Sequence, residues 1–186
     1  IYNQIGRNFG AFRFLYENTD NGDTRSLGLL STMVTKPGTD SSVNAADFHY
    51  LSETGIWKAD GQYILSKTQE DGSGQGGFFD ILYTPNKGKI HKLGTKIFDE
   101  SMEINDLGFN RRNNLKEISY NYTSVNANSS RFRNTEFNVF FNYGENFNSQ
   151  QISGWLGSKY NITLNNLNVI EGLLIYEESY AARSKK

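Results

Sequence analysis

The chain has 186 residues, a net charge of -1 and no cysteine, and it carries 13 Phe and 11 Tyr against 2 Pro. That length suits a single domain, and without cysteine there is no disulfide framework and no thiolate for metal binding or nucleophilic attack. Near-neutral charge with scattered Lys and Arg leaves no basic face to neutralise phosphates, which excludes nucleic acid as a partner.

The mean hydropathy is -0.60, yet the aromatics do not gather in continuous core-like runs. They sit one residue apart between polar residues, as in a sheet with one apolar and one polar face. No run approaches the ~20 apolar residues of a membrane-spanning helix. No secretion signal opens the chain, which starts abruptly at Ile1, so the sequence is expected to be a mature or excised piece.

Taken in order, the period-of-two pattern predicts strands near 8–17, 24–35, 43–51, 56–67, 77–84, 89–97, 115–123, 132–143, 151–164 and 168–178. Phe12, Phe14 and Tyr16 alternate with Arg13 and Glu17. Trp57, Ala59, Tyr63 and Leu65 alternate with Lys58, Asp60, Gln62 and Ser66. Phe79, Ile81 and Tyr83 oppose Asp80, and Ile118, Tyr120 and Tyr122 oppose Glu117 and Asn121. The pattern is cleanest at 133–143, where Phe140 alone breaks the polar face.

Asn21-Gly22, Pro37-Gly38, Asp71-Gly72 and Lys87-Gly88 supply turn chemistry between the strands. Asp20-Asn21-Gly22-Asp23 is one such turn, since the other ligands of a calcium loop are missing. The glycine-rich run 72–77 reads as a flexible loop. The fold class expected is all-β: an antiparallel up-and-down meander forming one domain, either a transmembrane β-barrel or an internal portion of one. Alternate linkers fall on opposite rims, a short set (18–23, 52–55, 85–88, 124–131, 165–167) and a longer set (36–42, 68–76, 98–114, 144–150). That asymmetry is the one seen in outer-membrane barrels. Tyr16, Tyr50, Trp57, Tyr83 and Tyr122 fall beside the short turns, where a membrane-interface girdle is expected. Arg13, Lys58, Asp60, Asp80, Lys96, Glu117, Glu136 and Glu171 are the expected lumen-lining charges.

The long interruption at 98–114, FDESMEINDLGFNRRNN, is where specificity is expected, because a scaffold carries its particular chemistry on its loops. Within it, Phe98, Gly108, Phe109 and Arg111 or Arg112, set between two strands, resemble a segment of one family. That family is the uncharacterised outer-membrane β-barrel domain that occurs C-terminal to a carbohydrate-binding-module-family-9-like domain in Gram-negative envelope proteins. The strands at 44–51 and 56–67 resemble it as well. The resemblance implies an outer-membrane location in a Gram-negative bacterium and a link to carbohydrate uptake. The chain lacks the binding module and ends in Ala182-Arg183-Ser184-Lys185-Lys186 instead of an aromatic residue, so an internal piece of a larger barrel is expected.

Catalytic chemistry is weakly encoded. Asp99, Glu100, Glu103 and Asp106 lie near Arg111 and Arg112 and read as a salt-bridged loop rather than an acid pair. His49 and His91 have no metal-ligand spacing, and His91 shares a face with Leu93 and Ile97. No cofactor, no metal and no enzymatic activity are expected. Asn105, Asp106, Gly108, Phe109, Arg111 and Arg112 are the expected contacts for a periplasmic or surface partner, with outer-membrane lipid around the wall. The function expected is a pore, scaffold or anchor in the outer membrane. The alternative is a soluble β-barrel or β-sandwich that binds a ligand or carbohydrate, with the aromatic face turned inward.

Overall fold

The computed structural model describes residues 6–36, 39–69, 72–104, 112–127, 129 and 131–178. They form ten strands: β1 (Asn8–Asp20), β2 (Asp23–Lys36), β3 (Thr39–Leu51), β4 (Trp57–Thr68), β5 (Gly72–Asn86), β6 (Lys89–Phe98), β7 (Leu115–Ala127), β8 (Phe132–Glu145), β9 (Gln151–Leu164) and β10 (Val169–Glu177). Each pairs antiparallel with the next, in chain order, in one sheet that is not closed: β1 and β10 are its free edges. The first turn shows why a hairpin forms there. Asn21 (φ 49°) and Gly22 (φ 85°) both take positive φ, the backbone a two-residue hairpin turn requires.

Residues opposite one another in an antiparallel pair share a face, so the register assigns both faces of the sheet. The row Tyr16, Leu27, Phe48, Gly61, Phe79, Thr95, Ile118, Tyr143 and Gly154 runs through nine strands by direct pairing. It lies on the apolar face, and that face is bare, with Phe12 63% and Leu27 62% exposed. The opposite face carries Arg13, Asp47, Asp60, Asp80, Lys96 and Glu117.

The small core lies on this polar side. Ala45, Ile64 and Met102 are buried together, with Leu30, Val43, Phe98 and Ile104 packed around them. Residues 99–104 fold across the polar face to reach it. The Glu103 N–H donates to the Ser66 hydroxyl at 3.0 Å, and the Gln75 N–H donates to the Asp99 carboxylate at 2.7 Å.

Two expectations are corrected. The glycine-rich run at 72–77 is the start of β5, not a loop. Its glycines are there for space: a side chain at Gly74 would strike the Met102 backbone, and one at Gly76 would meet Phe98 and the Met102 sulfur. The rim asymmetry also shrinks. β2 ends at Lys36 and β3 begins at Thr39, so only the connection between β6 and β7 is long.

At the opposite rim the Asp23 carboxylate, beside the first turn, accepts from the Glu53 N–H at 2.8 Å and the Tyr50 hydroxyl at 3.1 Å. It clips the β1–β2 turn to the β3–β4 connection. The Glu53 N–H, then Tyr50 and Arg25, hold its pKa below the ordinary carboxylate value.

Candidate functional site

A second row, on the polar face, builds the site. Gln62, Phe78, Lys96, Glu117, Gly144 and Ser153 face one another in direct register across β4 to β9. Five of the six, with Ile64, Phe98, Ile104, Arg112, Leu115 and Ile152, line one cavity of about 670 Å³. A flat sheet would spread that row over about 24 Å, six strands at ~4.8 Å spacing. For both ends to line one cavity the sheet must curl around it, with the polar face concave and the apolar face convex. Phe98, Ile104 and Arg112 line it on the side of the long connection.

The cavity is mixed in character. The Lys96 ammonium sits 3.2 Å from the Glu117 carboxylate, and the Ser153 hydroxyl donates to Asn142 at 2.9 Å. Phe78 and Phe98 add apolar surface beside them. The sites of Lys96 and Glu117 were legible as charges on alternating strands, and Arg112 joins them. Phe78 escaped notice because Phe78 and Phe79 are adjacent, although alternation must send one of the two to the polar face.

The other expected lumen residues share the concave face, and each is partnered. Arg13 makes a two-pronged pair with Asp47 at 2.6 and 2.9 Å. Asp60 accepts from Lys58 at 3.0 Å and meets His49 at 2.6 Å. Asp80 lies 3.5 Å from Lys92. Asp60 and Asp80 are directly opposite across β4 and β5, a like-charge placement that destabilises a sheet unless cations intervene; Lys58 and Lys92 supply them. Glu136 accepts from the Asn138 amide and Glu171 from the Asn161 amide. Asp47 and His49 belong to this network; His49 was weighed only as a metal ligand and Asp47 not at all, because Ala45 and Ala46 blur the alternation of β3 where its neighbours carry aromatics.

On the convex face, Trp57, Tyr83 and Tyr122 of the expected girdle form one in-register row with His91. Trp57 stacks on Tyr83 at 4.2 Å between ring centroids, and His91 lies 4.7 Å from Tyr122. Tyr16 and Tyr50 share the face but stand apart from this row; Tyr50 lies beneath the Arg25 guanidinium. Of the expected partner contacts, Arg112 lines the cavity. Asn105, Asp106, Gly108, Phe109 and Arg111 lie outside the described residues.

Over residues 21–181 the chain matches the family described as Domain of unknown function (DUF5916). The chain belongs to that family. The matched stretch begins in the β1–β2 turn and takes in β2 to β10, so the cavity lies wholly within the DUF5916 domain. Comparison with curated proteins and with solved structures gives no match. Among the described residues, no three acidic, His or Cys side chains gather to hold a metal ion. Membership fixes the domain's kinship and leaves its role to be argued from the two faces.

Proposed function

We propose that this DUF5916 domain forms part of the wall of an outer-membrane β-barrel and acts without catalysis, its convex face in lipid and its concave face lining a constricted path for small polar solutes. One observation carries the reading: through the eight inner strands the register, shifted only locally in the β5–β6 and β8–β9 pairings, sorts side chains into a bare apolar face and a mainly polar, hydrogen-bonded one. Strands of 9 to 15 residues reach or exceed the ~9–11 needed to cross a bilayer at a tilt. In hydrocarbon every backbone group needs a partner, and pairing with a strand on each side supplies one to the eight inner strands. A soluble lipocalin-like module encloses its apolar face, whereas here the polar face is concave. Phe98, Ile104 and Arg112 narrow the path, and Lys96 with Glu117 set its local charge.

The direct test is fractionation of the full-length protein. The expected outcome is recovery in the outer membrane with heat-modifiable migration on a gel. Recovery as a soluble periplasmic monomer would sink the reading. For the path itself, Lys96→Glu is expected to shift conductance in planar bilayers towards cations. Unchanged selectivity would remove the cavity from the solute route.

A further inference from the structure

We propose that the convex face over β2 to β4 is a contact with a second copy of this chain, in which the two Asn44 side chains meet across a twofold axis. The inference rests on the membrane reading, because an exposed amide is out of place only in hydrocarbon.

Asn44 sits on the convex face of β3, in direct register with Ser31 and Phe12 on one side and with Leu65 on the other. It is exposed, and among the described residues no hydrogen bond engages its side chain. Its depth follows from its place on the strand. With the Tyr50 ring at the membrane interface, Asn44 lies six residues further along the same face. At ~3.4 Å per residue on a strand tilted by ~35–45°, that is about 15 Å below the interface, half of a ~30 Å hydrocarbon core. An amide at mid-depth carries two donors and a carbonyl acceptor that lipid chains cannot meet. Polar side chains at this level are costly, and they face protein rather than lipid.

The surface around Asn44 is shaped to receive such a neighbour. Beside its row runs a second one, Phe14, Leu29, Ala46 and Tyr63. Between the two lies a trough of about 350 Å³, with Ala46 and Asn44 in its floor, Phe12 and Leu29 on one wall and Tyr63 and Leu65 on the other. An acyl chain would fill the trough but leave the amide bare.

A second copy does both. A twofold axis along the membrane normal sets a residue against its own image. An Asn amide is donor and acceptor at once, so two of them satisfy each other with a reciprocal pair of N–H···O bonds. The same axis brings the β4 wall of each copy, Tyr63 and Leu65, against Phe12 and Leu29 of the other copy, and these contacts seal the amide pair from lipid on either side. Because the face is convex and Asn44 stands on the middle strand of the three, the walls fall away and let the two amides approach.

The chain has no cysteine, so an introduced one reports alone. In the full-length protein, reconstituted in phospholipid vesicles and mildly oxidised, Asn44→Cys is expected to give disulfide-linked dimers. Ile118→Cys, exposed on the same face but four strands away on β7, is expected to stay monomeric. Independently, the dimer fraction measured against the protein-to-lipid ratio is expected to show Asn44→Leu associating roughly five- to thirty-fold more weakly than the wild type. Linkage of Asn44→Cys no greater than that of Ile118→Cys would overturn the contact, as would linkage in the native membrane to a different protein alone. Equal association of wild type and Asn44→Leu would overturn the amide pair. Heat-modifiable migration is scored in every preparation: protein that inserts yet stays monomeric sinks the contact and leaves the membrane reading standing, whereas protein that stays soluble sinks both.

Discussion

Gly61 and Gly28 occupy equivalent places on opposite faces of the sheet, and what crosses each of them differs. Over Gly61, on the convex face, Phe48 from β3 approaches Phe79 from β5 with ring centroids 5.9 Å apart. Over Gly28, on the concave face, Arg13 from β1 reaches Asp47 on β3. In both places a glycine on the middle strand lets side chains from the flanking strands meet. The device is common to both faces; the filling is set by what each face is built to touch. Rings suit an apolar surrounding and need no hydrogen bonds, whereas a two-pronged ion pair satisfies charges beside water.

The sharpest way to break this contrast is to exchange the fillings. Ile81→Arg or Val139→Arg on the convex face is expected to destabilise the membrane-inserted protein by about 2–4 kcal/mol, read as loss of the heat-modifiable species in lipid vesicles. Asn138→Arg, on the neighbouring concave position beside Glu136, is expected to insert normally. Equal tolerance at all three would erase the distinction between faces. Next in size is Gly61→Ala, whose new methyl strikes the stiff Phe48 ring; overpacking of this kind costs ~1–3 kcal/mol, measurable by urea titration. Gly28→Ala meets only the mobile ends of Arg13 and Asp47, so its loss should be smaller. A larger loss at Gly28 than at Gly61 would mean the ion pair is the stiffer filling.

Asp47→Ala is expected to lower stability less than Gly61→Ala does, because Arg13 is 43% exposed and such pairs are screened by water. The smallest effect belongs to the rim. Asp23 has a lowered folded-state pKa, so its contribution is present above the unfolded carboxylate value of ~3.9 and fades as pH falls through the folded value. Asp23→Asn is expected to flatten that acid limb of a stability-against-pH curve. An unaltered limb would show that other carboxylates set it.

The ten strands were legible because alternation is a local signal that burial on one face imposes on every strand. Its failures are equally physical. Gly72 to Gly77 read as loop since glycine has low strand propensity, and nothing nearby in sequence announces that Met102 will lie across them. Phe140 looked like a lapse in the polar face. It packs edge-on to Trp155, centroids 5.4 Å apart, over Gly157, a fit that depends on a neighbouring strand. The site was legible as individual charges such as Lys96 and Glu117, but their meeting with Gln62 and Ser153 is a matter of register across β4 to β9. Register is written in pairs of strands, which no single stretch displays.

Because spatial order in the sheet repeats order in the chain, nearly every strand pairing joins segments only a turn apart. Assembly can therefore advance hairpin by hairpin, each new strand templated on the last, with little chain entropy lost at each step. Contacts that skip strands, such as Met102 against Gly74, must wait until β5 and β6 are both in place. The Glu103 N–H reaches back to Ser66 on β4, one of the more distant contacts in the sheet. Loop-closure entropy grows with the length enclosed, and contacts of large sequence separation slow folding, so laying residues 99–104 across the polar face is the step expected last, after the strands beneath have paired.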